Sequence, residues 1–199
     1  MSSKCEKWGY KAEEAKNLNV VLFISRNKDN KDISDFKERR KSFVTTKAPN
    51  ELITEFNHFV NDGVKGETSR LYYSVNSRDV KKVRKELIKF LVDDDNFNIA
   101  HLNGKIAGIA ANKECAATKH WMFDFDEDDK DKTYKSVFDF VSDIRNINLT
   151  LMPIVYETPH GYAVIVEHGF DTRWLMEKWS KVATLKRDDL LCYKWGVKE

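Results

Sequence analysis

Short apolar runs alternate with amphipathic stretches along most of this chain. Residues 20–25 (VVLFIS), 71–76 (LYYSVN) and 120–126 (HWMFDFD) are rich in β-branched and aromatic side chains, which predicts three strands. The segments that begin at Pro49 and at Asp79 place apolar residues three and four positions apart. This spacing predicts two amphipathic helices, with Pro49 near the first turn of one and Asp79 as the N-cap of the other.

The second half of the chain predicts a β-α-β unit followed by a hairpin. Residues 132–147 have an apolar face at helical spacing, and 149–157 (LTLMPIVYE) form the next predicted strand. Turn residues at 158–161 lead directly into 162–167 (YAVIVE), so we expect these two strands to pair antiparallel. A short helix around Trp174 and two strands, 182–186 and 190–195, complete the predicted order.

Two segments are harder to assign from the pattern. We expect a helix from residue 32 to about 43, where charged residues dominate. Residues 98–117 contain Asn103-Gly104, which favours a hairpin, but their alanine content favours a helix, and both alternatives stay open. Together the elements predict an α/β (α+β) protein with a single mixed sheet and flanking helices.

Length and composition predict one folded domain. The chain has 199 residues, against about 150 for a typical domain, and 41% hydrophobic and 12% aromatic residues provide enough apolar area for a core. We expect a single domain over 1–199, with an N-terminal subregion of strand and helices at 1–66 and a core at 70–195.

The sequence indicates a protein without membrane segments. No apolar run approaches the about 18 residues that a bilayer span requires, and the first sixteen residues lack the hydrophobic core of a secretion signal. Cys5, Cys115 and Cys192 have no metal-binding spacing, so we expect reduced thiols. These features predict a cytoplasmic protein.

The net charge of +2 excludes a polycation that binds nucleic acid by charge alone. Basic residues nevertheless cluster at 37–41 and at 81–89. The simpler interpretation is that both clusters are solvated helix faces. If the protein binds single-stranded or primer-template nucleic acid, we expect the second cluster to contact it, through Lys81, Lys82, Arg84 and Lys85.

The candidate chemistry begins at Asp124 and Asp126. Residues two apart in a strand point to the same side, so these carboxylates share one face while Phe123 and Phe125 share the other. Like charges this close repel each other unless a cation compensates, and carboxylate oxygens suit Mg²⁺ or Mn²⁺. The pair therefore predicts a divalent-metal pocket. The alternative is that residues 126–129 cap the next helix and Asp124 is a solvated strand end.

The hairpin turn is the second candidate element of the site. It follows the carboxylate strand by one crossover, which would bring it close to that strand in one sheet. Thr158 and His160 would then contact a phosphate or a metal-bound oxygen, and Gly161 would let the backbone approach a ligand. A tight turn with an exposed histidine explains the same residues more simply.

The segment LKRDDLLCYK near the C-terminus is the third candidate element. Asp188 or Asp189 would complete a three-carboxylate metal site, and Lys186 or Arg187 would balance the charge of a triphosphate. A polar turn between two strands is the simpler alternative.

The order of these motifs resembles the archaeo-eukaryotic primase superfamily and, more narrowly, its small phage-type relatives. The similarity covers roughly residues 70–195, and its most specific parts are MFDFD at 122–126 and ETPHGYAVIV at 157–166. The resemblance implies a primase-like or polymerase-like DNA-binding protein that binds nucleotides with Mg²⁺ or Mn²⁺. It also implies nucleotidyl transfer, in which a 3′-hydroxyl attacks the α-phosphate.

The resemblance also implies roles for individual residues. Asp124 and Asp126 match the metal motif, and Asp188 or Asp189 matches the later acidic position loosely. A histidine of the hairpin contacts the phosphates in this family, which assigns that role to His160. Arg70 is implied as a further, basic contact to the nucleotide.

One position departs from the family pattern. The expected hairpin is Thr-Pro-Asn-Gly-Tyr-His, whereas this chain has Ala163 at the last position and carries His160 in the turn. Either His160 substitutes from a new angle, or polymerase chemistry has been lost. In the second case the chain would be an inactive phage-type accessory protein that binds nucleotide, nucleic acid or a host protein.

A third hypothesis is a haloacid-dehalogenase-like phosphatase, because DFDED resembles the nucleophile motif of that superfamily. Asp124 would be phosphorylated and Asp126 would act as acid and base. Only about 75 residues follow the motif, however, and a doubly wound parallel sheet needs a longer chain there.

Overall fold

The computed structural model describes residues 17–94, 96–126 and 130–199, with the backbone alone described at 130 and 131. Cys5 and residues 127–129, which were part of the predictions above, lie outside this range. The described part is an α/β protein, as predicted, and none of its helices is long and apolar enough to cross a membrane. Its main elements are β1 (Asn19–Ser25), β2 (Arg39–Thr45), α1 (Ile53–Asn61), β3 (Thr68–Ser74), α2 (Val80–Asp93), α3 (Leu102–Ala110), β4 (Trp121–Asp126), α4 (Lys130–Ile147), β5 (Ile154–Thr158), β6 (Gly161–Val166), α5 (Arg173–Trp179), β7 (Ala183–Lys186) and β8 (Leu190–Val197).

The strands form two four-stranded sheets rather than the expected single mixed sheet. The first sheet has the order β2-β1-β3-β8 and the second has the order β5-β6-β4-β7, and all the described strand pairs are antiparallel. Strand β8 returns from the C-terminal end of the chain to pair with β3. The first sheet therefore combines the predicted subregion 1–66 with part of the predicted core 70–195.

The predicted β-α-β unit and hairpin are both present, in an interleaved arrangement. Strand β6 pairs antiparallel with β5 on one side and with β4 on the other. Strands β4 and β5 therefore run parallel to each other, with the crossover helix α4 between them in sequence and β6 between them in the sheet. This insertion places the turn between β5 and β6 at the same end of the sheet as Asp126, which pairs with Gly161.

The predicted helix over 32–43 is wrong, because β2 occupies residues 39–45. Strand β2 pairs with β1, and the ring of Phe43 packs edge-on against Phe23 at 5.4 Å between centroids. It is an edge strand, where solvent accommodates long charged side chains such as Arg40 and Lys41. The open segment 98–117 contains α3, whose Ala107 and Ala110 are buried.

Strand β4 separates an apolar side of its sheet from a polar side. Phe123 and Phe125 are fully buried, and each packs edge-on against Phe140 of α4 with ring centroids 4.9 Å apart. The opposite face of β4 carries Met122, Asp124 and Asp126. Burial of the phenylalanine face under α4 therefore directs both carboxylates toward the first sheet.

The first sheet meets this face through its edge strand β8. Leu191 packs with Met122 and Ala163 of the second sheet. Tyr72 and Tyr73 are neighbours in β3 and point to opposite sides of the first sheet. One cavity lies on each side of the contact between Leu191 and the second sheet, and each is lined by one of these tyrosines. The cavity on the Tyr72 side is mostly polar, and the cavity on the Tyr73 side is mostly apolar.

A buried polar network fixes the connection between the sheets. The chain passes from β7 to β8 through residues 187–189 alone. The guanidinium of Arg78, which is 2% exposed, donates two hydrogen bonds of 2.8 Å to the carboxylate of Asp188. Asn76 donates to the same carboxylate at 3.2 Å and to the carbonyl of His120 at 3.0 Å. The two sheets are therefore joined by both a short turn and a buried ion pair.

Candidate functional site

The polar cavity between the sheets has a volume of about 160 Å³. It contains six of the residues that the sequence marked as candidates, drawn from five different places in the chain. The carboxylates are Asp124 and Asp126 of β4, the basic groups are Arg70 of β3, His160 of the β5–β6 turn and Lys186 of β7, and Thr158 ends β5. The predicted convergence of the carboxylate strand, the hairpin and the C-terminal strands therefore occurs in the fold.

Asp124 lies at the centre of the second sheet. It pairs in register with Ala163 of β6 and with Thr184 of β7. The ammonium of Lys186 lies 2.7 Å from Oδ2 of Asp124. Burial opposes the charged form of Lys186, but the hydrogen bond to Asp124 prevails and raises the pKa of the lysine. Lysine and aspartate therefore form a charged pair in the cavity.

Arg70 and His160 join the two sheets across the cavity. Nη2 of Arg70 lies 2.8 Å from Nε2 of His160 and 2.7 Å from Oδ1 of Asp29. Because a guanidinium only donates hydrogen bonds, Nε2 accepts in this contact and the ring proton lies on Nδ1. Arg26 forms a bidentate pair with Asp29, at 2.8 and 3.0 Å. Asp29 therefore orients two cationic residues that line the cavity.

The pKa of Asp29 is lowered in this environment. Burial alone would raise it, but the hydrogen bonds and charges of Arg26 and Arg70 outweigh the burial. The pKa of the nearby Cys192 thiol is shifted in the other direction, because burial raises it to about 11. Asp29 is thus held as a carboxylate, and Cys192 is held as a neutral thiol.

Two buried polar atoms at the cavity have no hydrogen-bond partner among the described residues. They are Nε of Arg70 and Oγ1 of Thr158, and these residues are 5% and 6% exposed. Buried polar groups in proteins nearly always have a partner, so these two atoms are exceptions among the residues that line the cavity. Both atoms can donate a hydrogen bond to an oxygen acceptor.

The sequence predicted that Asp188 or Asp189 would join the carboxylates in the cavity, but the structure places both residues outside the cavity lining. Asp188 is committed to Arg78 and lies outside the cavity lining. Asp189 contacts Lys186 at 3.4 Å but does not line the cavity either. Among the described residues, no group of three or more His, Cys, Asp or Glu is arranged to hold a metal ion. The predicted three-carboxylate arrangement is therefore absent from this part of the chain.

Arg187 lies outside the cavity, and the close approach of a neighbouring strand accounts for Gly161. The guanidinium of Arg187 lies over the ring of Trp121, 5.1 Å from its centroid, and does not line the cavity. A Cβ at Gly161 would lie 1.9 Å from the carbonyl oxygen of Phe125. Glycine is therefore required there because the neighbouring strand approaches closely, which explains the residue without a ligand.

The basic residues predicted to contact nucleic acid lie on α2. Lys81, Lys82, Arg84 and Lys85 are exposed, and none of them lines the cavity. The predicted cap is confirmed, because Asp79 accepts hydrogen bonds from the backbone amides of Lys81 and Lys82. A role for this surface in nucleic-acid binding stays a prediction.

Several residues of the cavity were not identified from the sequence. Arg26 and Lys28 follow directly after β1, and Tyr72 and Cys192 belong to paired strands of the first sheet. The two basic residues were identifiable in principle, because charged residues directly after a buried strand often line a site. Tyr72 and Cys192 carry no comparable pattern in the sequence.

The carboxylates fit the metal of a metal–nucleotide complex better than a metal bound by protein alone. Mg²⁺ usually takes one or two carboxylates and completes its coordination with water and substrate phosphates. Asp124 and Asp126 provide such a pair, and the cation of Lys186 already lies against Asp124. A metal held by protein side chains alone would need further ligands, which the described residues do not supply here.

Comparison with known proteins gives no further information on identity. The sequence matches no protein-family model, and no significant similarity is found to curated proteins or to solved structures.

Proposed function

We propose that this protein binds a nucleoside triphosphate together with a divalent cation in the polar cavity and uses it for nucleotidyl transfer, as primase-like polymerases do. The observation that carries the proposal is the meeting of two carboxylates with four cationic side chains in one cavity. Asp124 and Asp126 come from the second sheet, and the cations are Arg26, Lys28, Arg70 and Lys186. Carboxylates suit the metal, and the cations suit the phosphates.

The size of the cavity supports a polyphosphate as its occupant. Its volume of about 160 Å³ is below the about 300 to 1,000 Å³ that is usual for sites that enclose a whole small molecule. We therefore assign the phosphate groups and the metal to the cavity, with the sugar and base at its mouth. Small shifts of the Arg70 and Thr158 side chains would let the unpaired Nε and hydroxyl, which are buried in the free protein, donate to phosphate oxygens.

The residues of the chain have separable tasks in this proposal. Asp124 and Asp126 would hold the cation, which would neutralise charge while a 3′-hydroxyl bonds to the α-phosphorus and pyrophosphate leaves. Arg70 and His160 would orient the phosphates, because their contact already fixes both side chains at the cavity. Asp29 would act on Arg26 and Arg70 as a positioning residue.

A direct test compares binding and turnover. Titration calorimetry with Mn²⁺ and a nonhydrolysable triphosphate measures binding, and primer synthesis or extension on single-stranded DNA measures transfer. We expect both activities in the parent and neither in Asp124→Asn. A parent protein that binds no Mn²⁺–nucleotide would refute the proposal.

An accessory protein without catalysis is the second candidate, and Ala163 favours it. Ala163 lines the cavity directly opposite Asp124, at the position where the resemblance leads us to expect a histidine. The proposal that fits this observation is a protein that retains nucleotide binding or binds nucleic acid or a host protein. Mn²⁺–nucleotide binding without primer synthesis would support this candidate over the first.

The phosphatase hypothesis receives no support from the fold. A haloacid-dehalogenase-like enzyme needs its nucleophile on a strand of a parallel, doubly wound sheet. Both neighbours of β4 are antiparallel to it.

A further inference from the structure

The position of Lys186 bears on how the charge of Asp124 is balanced before a ligand binds. Its ammonium contacts Asp124 at 2.7 Å and Asp189 at 3.4 Å. Asp124 is largely shielded, with a side chain 18% exposed, and Lys186 is 34% exposed. A carboxylate with this little contact to water needs a cation nearby, and the lysine provides it.

The same contact obstructs a metal ion. A divalent cation at Asp124 would compete with the ammonium for the carboxylate oxygens, and two cations so close repel each other. The lysine side chain is long and flexible, and its partly exposed position leaves it room to move. A nucleotide phosphate would offer the displaced ammonium a new anionic partner.

We propose that Lys186 is an exchange residue that neutralises Asp124 in the free protein and transfers to a nucleotide phosphate when the metal–nucleotide complex binds. This inference rests on the proposed function. It adds that the metal binds together with the nucleotide rather than before it. Mn²⁺ alone is disfavoured because Lys186 would lose its contact with Asp124, which is the shorter of its two carboxylate contacts. Mn²⁺ with nucleotide is favoured because Lys186 gains a new one. The cavity would thus select the complex over the bare ion.

The inference predicts opposite effects of one substitution. Lys186→Met removes the competing charge but keeps much of the side-chain length. Mn²⁺ alone should then bind about tenfold more tightly than it binds to the parent. The Mn²⁺–triphosphate complex should bind about tenfold more weakly. A residue that only supports the fold would shift both affinities in the same direction.

Matched variants separate exchange from general electrostatics. Lys28 lines the same cavity but forms no ion pair with Asp124 in the described structure. Lys28→Met should therefore weaken the triphosphate and leave the affinity for Mn²⁺ alone unchanged. Lys186→Arg keeps the charge and should retain the parent's low affinity for Mn²⁺ alone.

The experiment is a titration of each full-length variant with Mn²⁺, monitored by the electron paramagnetic resonance signal of the free ion, with and without a nonhydrolysable triphosphate. Thermal unfolding of each variant checks its fold. A Lys186→Met protein that loses both affinities, or a Lys28→Met protein that gains affinity for Mn²⁺, overturns the exchange. A parent that binds no Mn²⁺–triphosphate refutes the proposed function itself. A parent that binds it, with no opposite shift in Lys186→Met, refutes the exchange alone.

Discussion

Nη2 of Arg70 lies 2.8 Å from Nε2 of His160, although the two residues are 90 positions apart in the chain and belong to different sheets. Arg70 is almost fully buried, whereas His160 lies in an exposed turn. The contact makes the turn between β5 and β6 part of the cavity wall. It also gives His160 a defined orientation that an exposed turn residue would otherwise lack.

Replacing His160 should separate ligand binding from stability. His160→Ala removes an exposed side chain and its hydrogen bond with Arg70, so the free energy of unfolding should fall by no more than about 1 kcal/mol. Loss of one hydrogen bond to phosphate should weaken the Mn²⁺–triphosphate complex about tenfold. Calorimetry and urea unfolding measure the two effects. His168, exposed after β6 and outside the cavity lining, provides the control His168→Ala, which should change neither quantity.

Asp124→Asn should abolish Mn²⁺–triphosphate binding and leave the fold intact. The substitution removes the charge of the carboxylate with almost no change in volume, and it removes the 2.7 Å ion pair with Lys186. Calorimetry measures the loss, and circular dichroism checks the fold. Asp139→Asn, at an exposed acidic position on α4, is the control and should bind like the parent. Unchanged affinity in Asp124→Asn would exclude this residue as a metal ligand.

If the protein binds nucleic acid, the basic residues of α2 should carry the binding. Phosphate affinity depends on lysine and arginine that neutralise backbone charge, so a local patch is sufficient at a net charge of +2. Changing Lys81, Lys82 and Lys85 to glutamate should weaken binding to single-stranded or primer-template DNA and reduce its salt dependence. The matched triple change at Lys37, Arg40 and Lys41 should have a smaller effect. Gel shifts over a range of salt concentrations measure both, and equal effects would contradict the assignment.

The buried ion pair between Arg78 and Asp188 should contribute far more to stability than an exposed pair. Arg78→Met leaves the Asp188 carboxylate without its bidentate partner, which should lower the free energy of unfolding by about 3 to 5 kcal/mol. The control is Arg173→Met, since the Arg173 side chain is 91% exposed in its pair with Asp171. That change should leave the free energy of unfolding close to that of the parent, because solvent screens an exposed pair. Similar unfolding midpoints in urea for the two variants would contradict the prediction.

The stability contributed by Asp29 should depend on pH. Its pKa is lower in the folded than in the unfolded protein, so its contribution is present above the unfolded value of about 3.9 and is lost as the pH falls through the folded value. Asp29→Asn should therefore be less stable than the parent at pH 7, and the difference should narrow toward pH 3. Urea unfolding at both values measures it. A difference that is the same at pH 7 and pH 3 would show that the charge of Asp29 is unimportant.

The local features of the site were predictable, whereas its long-range partners were not. The alternation of Phe123, Asp124, Phe125 and Asp126 determines which side chains share a face, because a strand has a period of two. Asp188 was misplaced because its partner Arg78 is 110 positions away, and no local pattern indicates such a contact. Strand β2 was missed for the same reason, since pairing with β1 outweighs the high charge of its sequence.

The short connection between β7 and β8 restricts how the cavity can change shape. Residues 187–189 cross from one sheet to the other, and Asp188 is anchored at Arg78 within this crossing. The two sheets are therefore held together on one side of the cavity, by the β7–β8 connection and by the ion pair between Arg78 and Asp188. Away from this connection, Arg26 and Lys28 after β1 line the cavity together with His160 of the β5–β6 turn. We expect a ligand to enter and leave on the side of the cavity that carries His160. Its rate of dissociation should therefore depend on the contact between Arg70 and His160.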